Sequence, residues 1–316
     1  NEYTAVLMQG GGTSGVESVL TSVIGSGDEL LICANGAYGE RMADIAEHAG
    51  IKYQIYKEHY NKVPNAQKVA ELLDADPAVT HVAMVHSETT SGILNDIEAV
   101  GKAVKEKGRV FIVDAMSSFG GMDIPVKDWG IDFIISSANK CIQGVPGFSF
   151  IIARRDLLEA SAGKARSLSL DLYDQWKTME VDGKWRFTSP THVVLAFAQA
   201  MKELEKEGGI EARNRRYTEN NQLLIRRMSE MGFRTYIDDT HQSPFITTFF
   251  YPENCSFTFS RMYDYIKERG YAIYPGKLTE ADTFRIGNIG EIYPEDIEKV
   301  CAIIKEFLEE YNHEEN

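Results

Sequence analysis

Residues 133–140 have the sequence FIISSANK, an apolar run that ends in small polar residues and a lysine. The apolar part is typical of a buried strand. Lys140 follows that strand among small residues instead of lying on a helix face, an unusual place for a lysine that only solubilises the surface. We therefore expect an α/β fold in which this strand delivers Lys140 to the edge of a sheet where such folds bind ligands.

Short apolar runs alternate with segments of helical spacing over the first 150 residues, as a mostly parallel sheet covered by helices requires. We predict seven strands, at residues 4–8, 29–33, 52–56, 80–86, 109–114, 133–136 and 147–153. Helices are predicted at residues 15–24, 39–49, 66–73 and 97–107. The expected fold class is α/β, with a seven-stranded, mostly parallel sheet between layers of helices.

The second half of the chain has a different pattern. Residues 161–190 lack clear periodicity, and we predict a long functional loop there. Two long helices are predicted at 192–207 and 211–231, the first with an apolar face of Val194, Leu195, Phe197, Ala198, Met201 and Leu204. Strands follow at 245–251, 271–274 and 283–286, and helices at 259–269 and 294–311. We assign residues 1–192 to a large α/β domain and 193–316 to a smaller α+β domain.

Composition excludes several classes of protein. The formal net charge of -14 argues against binding to nucleic acid or an anionic membrane, which require a basic surface. The cysteines form no CxxC pair, so we expect neither a metal site nor a disulfide framework; they are Cys33, Cys141, Cys255 and Cys301. No apolar run approaches the ~20 residues needed to cross a bilayer. We expect a cytoplasmic protein.

A glycine-rich run, GGGTSG at residues 10–15, follows the first predicted strand and opens a helix. Glycines permit a sharp turn and leave bare amides at the helix N-terminus, where the helix dipole favours a phosphate. The spacing of Gly10, Gly12 and Gly15 also matches a dinucleotide-binding fingerprint, but the second strand ends without the acidic residue that this fingerprint needs. A tight turn without a ligand is the third alternative.

Asp114 ends an apolar strand, FIVD at residues 111–114, and Lys140 follows the next such strand 26 residues later. Taken alone, Asp114 would be a helix cap or a solvated loop acid, and Lys140 a surface lysine. The order of glycine turn, strand-end acid and strand-end lysine instead predicts a cofactor site. In it Lys140 would form a Schiff base, and Asp114 would hold a positive charge.

These residues resemble those of class-V aminotransferases of fold type I, pyridoxal-phosphate enzymes that usually form dimers. The resemblance covers almost the whole chain. It narrows to 2-aminoethylphosphonate:pyruvate transaminases in four strings: RSLSLDLY at 166–173, WRFTSPTH at 185–192, YPGK at 274–277 and FRIGNIGE at 284–291. The reaction that this resemblance implies converts 2-aminoethylphosphonate and pyruvate to phosphonoacetaldehyde and alanine.

The resemblance also implies roles for individual residues. Lys140 would carry pyridoxal 5'-phosphate and move the proton of the substrate, and Asp114 would pair with the pyridinium nitrogen. Contacts to the cofactor phosphate and ring would come from Gly11, Gly12, Thr13, Tyr38, Thr89 and Asn139. Arg285 would bind the substrate carboxylate. Thr188 would reach the cofactor phosphate of a second subunit, so the resemblance implies a homodimer with shared active sites.

Two features depart from the family pattern. Relatives have an N-terminal segment, upstream of the strand where this sequence starts, with a loop that lines the substrate site, and that segment is missing from this sequence. Gly11 stands where related enzymes often have serine, which removes a hydroxyl contact worth about 1 kcal/mol. Candidates for gripping the phosphonate are Arg166, Arg186 and the missing segment.

Alternatives remain on the sequence alone. Within the fold, an alanine- or serine:glyoxylate transaminase is the nearest, and a desulfurase is less well supported because Cys141 adjoins the lysine instead of lying on a separate loop. From other classes, a nicotinamide-dependent oxidoreductase could use the glycine-rich turn, and a catalytically inactive relative could serve as a binding module.

Overall fold

The computed structural model describes residues 2–252, 257–278 and 280–314, and the side chains as far as residue 310. Elements in the first half are β1 (Tyr3–Gln9), α1 (Gly12–Val23), β2 (Glu29–Ala34), α2 (Ala37–His48), β3 (Tyr53–Lys57), α3 (Ala66–Ala75), β4 (Val79–Val85), β5 (Ser87–Glu88), β6 (Ile93–Leu94), α4 (Ile97–Glu106), β7 (Val110–Asp114), β8 (Phe133–Ser137), β9 (Phe148–Arg154) and α5 (Arg155–Glu159). The second half adds α6 (Leu172–Asp182), α7 (Thr191–Glu207), α8 (Gly209–Glu230), β10 (Ile246–Phe250), α9 (Phe259–Glu268), β11 (Tyr274–Pro275), β12 (Thr283–Gly287) and α10 (Pro294–Glu314).

The central sheet has seven strands in the order β1-β9-β8-β7-β4-β2-β3. β9 runs antiparallel to both of its neighbours, β1 and β8, and the other pairs are parallel. The predicted α/β class, the number of strands and the mostly parallel arrangement are therefore confirmed. In the register of the central strands, Asp114 lies opposite Val85 of β4 and Ile135 of β8, at the carboxyl ends of all three strands.

Helices cover both faces of this sheet, which explains why its strands are continuous apolar runs instead of alternating ones. All six residues of β2 are buried. Helices α1, α2 and α6 share one apolar core with the sheet, and α3 and α4 share the core on the opposite face. The five-residue edge strand β3, whose residues are half-buried or exposed, ends the sheet on one side.

A second apolar core lies in the second half of the chain. It surrounds the antiparallel sheet β10-β12-β11 and includes the inner faces of α8, α9 and α10. α7 packs elsewhere, because Phe197 contacts Phe148 and Phe150 of β9 with ring centroids 5.1 and 5.6 Å apart. α7 thus connects the large sheet to the rest of the second half.

Residues 161–190 are not the irregular loop that the sequence indicated, because α6 lies within them. The Asp171 side chain caps α6 by accepting a hydrogen bond from the Asp174 amide, and Gly183 ends the helix in the left-handed conformation. Leu172 and Trp176 bury the inner face of the helix against α1 and β1. The amphipathic pattern was missed because only these few apolar positions face inward.

The predicted apolar face of α7 is also wrong in part. Leu195 is 65% exposed and Met201 is 44% exposed, whereas Leu204 and the unpredicted Ala200 are buried. The short α5 and the two-stranded hairpin β5-β6 were not predicted either.

Across the described ranges, every helix is too short or too polar to cross a membrane. Cys33, Cys141 and Cys301 are buried and unpaired, and Cys255 lies outside the described residues.

Candidate active site

A cavity of about 260 Å³ opens at the carboxyl ends of β4, β7 and β8. Eight of the ten residues that the sequence indicated line this cavity: Gly11, Gly12, Thr13, Tyr38, Thr89, Asp114, Asn139 and Lys140. They come from five separate segments, which the parallel sheet brings to one edge. Arg285 and Thr188 do not line the cavity.

Lys140 lies in a tight turn, residues 138–144, that we call the lysine turn. The turn is closed by hydrogen bonds from the Gln143 amide to the Lys140 carbonyl and from the Gly144 amide to the Ala138 carbonyl, each 2.8 Å long. Lys140 itself is half-buried and makes no ion pair within the described part of the chain. Its amine is therefore available to the cavity.

Helix α8 fixes the lysine turn from behind. Arg213, only 2% exposed, donates from Nη1 to the carbonyl oxygen of Cys141 over 2.6 Å. The side-chain amide of Gln143 donates from Nε2 to the hydroxyl of buried Tyr217 over 2.7 Å. The Gln143 backbone is in the left-handed conformation, with φ of 65°. Glu207 accepts hydrogen bonds from Arg213, which neutralises its buried charge. The turn is thus held by side chains that come from outside the large sheet.

Asp114 is buried at the inner end of the cavity. Its Oδ1 accepts a hydrogen bond from the Met116 amide over 2.8 Å. Burial raises the pKa of the carboxyl to about 6, against the opposing effect of that hydrogen bond. His86 lies behind it, since the His86 amide donates to the Asp114 carbonyl and the His86 ring contacts the Ser118 hydroxyl at 2.9 Å. A positively charged ligand atom would restore the ionised form of Asp114.

The start of α1 forms an anion cradle. Gly11 is the N-cap residue and has no side chain to accept hydrogen bonds from the first amides of the helix. Gly10 has a φ of 93°, which favours glycine, and a Cβ atom at Gly12 would meet the Met116 side chain. Arg41 adds a cation, since it lines the cavity with its Nη1 3.4 Å from the Thr13 hydroxyl.

Tyr38 forms the wall beside this cradle. Arg41 and Lys277 both lie 4.8 Å from the centroid of its ring. The Lys277 amine is 3.3 Å from the phenol oxygen. Burial raises the pKa of the Tyr38 phenol, but hydrogen bonding by Thr89 and Lys277 outweighs burial, so the net shift is downward. The Tyr38 ring thus offers the cavity a flat aromatic surface that is flanked by two cationic side chains.

Arg285 approaches the site from the small sheet. It is buried, and its Nη1 donates over 2.7 Å to the backbone carbonyl of Thr89, a residue of the cavity wall. Its Nε donates to the Pro275 carbonyl over 3.1 Å. Thr188 is exposed and away from the cavity. Arg166 and Arg186, considered for gripping the phosphonate, also lie away from the cavity and donate to backbone carbonyls there.

The sequence did not single out Arg41, His86 or Glu88. Arg41 lies on a helix and has the pattern of a surface residue. His86 and Glu88 follow β4 at the same sheet edge as Asp114, and that position was the available signal. Both are almost fully buried.

The residues of the cavity fit pyridoxal 5'-phosphate. An available lysine amine, a buried carboxylate, bare amides at a helix N-terminus and a flat tyrosine ring match its carbonyl carbon, ring nitrogen, phosphate and ring face. The first amides of α1 lack a side-chain cap and would donate to an anion such as a phosphate. The donor set therefore suits this cofactor better than a dinucleotide.

Curated relatives are similar over nearly the whole chain. The 2-aminoethylphosphonate–pyruvate transaminase of Lysinibacillus sphaericus is 54% identical over 312 residues, covering 99% of this chain and 85% of the relative. That of Bacteroides fragilis is 55% identical, covering 96% and 84%. A bifunctional phosphonoacetaldehyde hydrolase/aminoethylphosphonate transaminase of Clostridioides difficile is 52% identical, covering 98% of this chain and 49% of that protein.

Solved structures share the fold. Ureidoglycine–glyoxylate aminotransferase from Bacillus subtilis superimposes with a TM-score of 0.89 at 24% identity, covering 98% of this chain and 80% of that one. Pyridoxamine–pyruvate aminotransferase from Mesorhizobium loti has the same TM-score, identity and coverage. The family model "Aminotransferase class-V" matches residues 1–280. The chain therefore belongs to the class-V aminotransferases of fold type I, enzymes whose cofactor is pyridoxal 5'-phosphate.

Proposed function

We propose that the chain is a transaminase that converts 2-aminoethylphosphonate and pyruvate to phosphonoacetaldehyde and alanine. The observation that carries this proposal is the identity of 52 to 55% to curated relatives named for this reaction, over at least 96% of the chain. The presence of Lys140 and Asp114 in one cavity supports a catalytic role rather than a binding module. The family match also argues against a nicotinamide-dependent oxidoreductase.

The roles of the residues follow from their positions. When bound, the cofactor supplies an electron sink for the substrate carbon that loses its proton. Lys140 would hold the cofactor and, once its amine is released, Nζ would take that proton and return it. Asp114 would keep the ring nitrogen protonated, because a buried carboxylate is ionised most readily beside a cation. Both groups lie where the sheet places them at one edge.

The remaining predicted residues would bind and orient. Gly11, Gly12 and Thr13 would receive the phosphate at the N-terminus of α1. Tyr38 would pack on the ring, and the side chains of Asn139 and Thr89, both on the cavity wall, would contact the ring substituents.

Arg285 is the proposed carboxylate clamp for pyruvate and alanine. Its guanidinium is fixed by the Thr89 and Pro275 carbonyls, which leaves part of its donor fork for a ligand. Burial lowers the pKa of Arg285, opposed by Tyr38, Tyr274 and Glu88 nearby, and a guanidinium stays protonated under such a shift. A permanent cation at this point favours an anionic substrate.

Thr188 is proposed to complete the phosphate site of a second copy, so the active unit is a homodimer with shared sites. Exposed apolar side chains surround it in sequence: Leu168, Val181, Phe187 and Leu195. Exposed large apolar side chains in this part of the chain support contact with another chain. The exposure of Thr188, away from the cavity of its own chain, is consistent with this arrangement.

An absorbance experiment tests the cofactor and the substrate together. Purified protein mixed with pyridoxal phosphate is expected to turn yellow, and Lys140→Ala is expected to remain colourless. Addition of 2-aminoethylphosphonate should bleach the band, and pyruvate should then restore it. Bleaching by alanine or serine but not by the phosphonate would leave the cofactor site standing and favour an alanine- or serine:glyoxylate type of activity instead.

Hybrid dimers test the shared site. Lys140→Ala and Thr188→Asp chains, carrying different tags, are co-expressed and the hybrid is purified. One of its two sites would have both native residues, so the hybrid should have about half of the wild-type activity while each parent is inactive or nearly so. A hybrid no more active than the mean of its parents would rule out the shared site.

Two further points remain proposals. We propose that residues 1–192 and 193–316 form the two domains, which the separate apolar core around β10, β11 and β12 supports. We also propose a cytoplasmic location, which the buried unpaired thiols of Cys33, Cys141 and Cys301 support.

A further inference from the structure

Glu88 is a buried carboxylate beside the active site. It lies in β5 between Ser87 and Thr89, which both line the cavity. Its side chain is inaccessible to solvent, and within the described residues it makes no ion pair. A charge without a cation is costly to bury, so its hydrogen bonds must account for its presence.

Four hydrogen bonds surround the carboxylate. Oε2 accepts from the backbone amides of Tyr38 at 3.2 Å and Gly39 at 3.1 Å. Oε1 accepts from the amide of Thr90 at 3.1 Å and from its hydroxyl at 2.6 Å. Both oxygens therefore have two donors each, and two separate segments meet at one side chain.

Glu88, which lies in β5, caps the N-terminus of helix α2. The N-cap residue of α2 is Gly36, which has no side chain. The amides of Tyr38 and Gly39, in the first turn of the helix, are those that usually donate hydrogen bonds to an N-cap side chain. A negative charge is also favoured at this end of the helix dipole. The carboxylate thus fixes the first turn of α2, on which Tyr38 lies.

Gly36 leaves the room for this arrangement. A Cβ atom there would overlap Cγ and Cδ of Glu88. The backbone of Gly36 is extended, with φ of 173°, a conformation open to any residue. Glycine at this position is therefore explained by the space that the Glu88 carboxylate occupies.

The same carboxylate also fixes the other wall of the cavity. By binding the amide and the hydroxyl of Thr90, it holds the turn that presents the Thr89 carbonyl. That carbonyl accepts the 2.7 Å hydrogen bond from Arg285 Nη1. Glu88 therefore connects the proposed ring contact, Tyr38, with the proposed carboxylate clamp, Arg285.

We propose that Glu88 is a positioning residue of the transaminase, whose carboxylate sets Tyr38 against the cofactor ring and Arg285 against the substrate carboxylate. This inference rests on the proposed function of the cavity. An amide cannot replace the carboxylate, because the glutamine NH₂ group would face two donors and leave them without acceptors. Position 88 thus requires a side chain with two acceptor oxygens, and a side chain of the same size with only one is not sufficient.

The test compares Glu88→Gln with Glu29→Gln. Glu29 is also a buried glutamate, but it lies at the opposite end of its strand from the cavity and bonds Lys52 and Gln54. Glu88→Gln is expected to weaken binding of pyridoxal phosphate about tenfold, to change the near-ultraviolet circular dichroism of the bound cofactor, and to raise the KM for pyruvate about tenfold. Glu29→Gln is expected to match the wild type in all three.

A purely structural role would give a different result. Glu88→Gln would then unfold at lower temperature but keep the wild-type cofactor affinity, circular dichroism and KM, and this outcome would overturn the proposal. If Glu88→Gln does not fold, Gly36→Ala carries the test, since its methyl group displaces the carboxylate without changing charge. It should weaken cofactor binding in the same direction, and unchanged binding would again overturn the proposal.

Failure of the proposed function would be distinguishable. If the cavity does not bind pyridoxal phosphate, the wild-type protein itself shows no yellow band in the titration. If the cavity binds it and Glu88 has no positioning role, the wild type and both glutamine variants give the same titration curve.

Discussion

The lysine turn and the segment that carries Thr188 differ sharply, although each is proposed to contact a cofactor molecule, the first in its own chain and the second in a partner copy. The lysine turn is closed by its own backbone, and Arg213 binds its Cys141 carbonyl from a buried position. Thr188 and its neighbour Phe187 are exposed. A single chain therefore supplies Lys140 and Asp114 to the cavity. The proposed phosphate contact from Thr188, by contrast, depends on a second copy.

Among the substitutions considered, Asp114→Asn should have the largest effect on catalysis. The asparagine has nearly the same shape but cannot hold a proton on the cofactor nitrogen by its charge. We expect kcat to fall by roughly 10²- to 10³-fold, the size seen when a preorganised electrostatic contact is removed, with the yellow band still present. Steady-state and single-turnover kinetics measure this effect, and a kcat within threefold of the wild type would contradict the role given to Asp114.

Arg213→Met tests how the lysine turn is held. The substitution removes the short hydrogen bond to the Cys141 carbonyl and one of the two arginines that pair with Glu207, the other being Arg216. Urea unfolding should show a loss of about 2 kcal/mol, the cost of removing a hydrogen bond from a buried acceptor. Arg215→Met is the control on the same helix, since Arg215 forms an exposed pair with Glu211 and should cost less than about 0.5 kcal/mol. Equal losses for the two variants would mean that the buried network does not stabilise the turn.

His86, behind Asp114, makes stability depend on pH. Burial lowers the pKa of its ring to about 3. Because the folded pKa lies below the unfolded one, stability is full above pH ~6.5 and is lost as the pH falls towards ~3, by at most about 1.4 kcal/mol per pH unit. Asp114 opposes this trend between pH ~4 and ~6, since its pKa is raised in the folded protein.

Comparison with His86→Asn isolates the contribution of the histidine. Between pH 6.5 and 5 the wild-type protein should lose up to about 2 kcal/mol more than the variant, as measured by urea unfolding of the cofactor-free protein. Parallel curves for the two proteins would show that His86 does not titrate in this way.

Gly11→Ser should have the smallest effect, a modest gain in cofactor affinity at the phosphate. A Cβ atom at Gly11 would meet no other atom within 4 Å, and its backbone is in a normal region, so serine should fit. The added hydroxyl can cap α1 and reach the phosphate, which should tighten cofactor binding about fivefold, equivalent to about 1 kcal/mol. Titration by absorbance measures it, and weaker binding would show that the cradle is already full.

Much of the fold followed from the sequence because both faces of the sheet are buried. Strands such as β2 are then continuous apolar runs, and their order with the helices between them determines a parallel sheet. Asp114 and Lys140 could be placed together for the same reason, since residues that end parallel strands meet at one edge. The sequence predicted this part of the site because chain order alone determines it.

Other features depend on contacts between distant segments. Glu88 has its role only because β5 lies against the first turn of α2, and Arg213 because α8 packs behind the lysine turn. No periodicity marks such contacts. α6 was missed because its buried side chains are few, and α7 was predicted with too wide an apolar face because exposed Leu195 and Met201 have the same spacing as buried residues.

The role of Lys140 is tested most directly by identifying the residue that binds the cofactor. The yellow holoenzyme is reduced with borohydride, digested and analysed by mass spectrometry. We expect a pyridoxyl group on Lys140 in the peptide that contains residues 136–140, and none in Lys140→Ala. Modification of a different lysine in the wild type, with Lys140 unmodified, would contradict it.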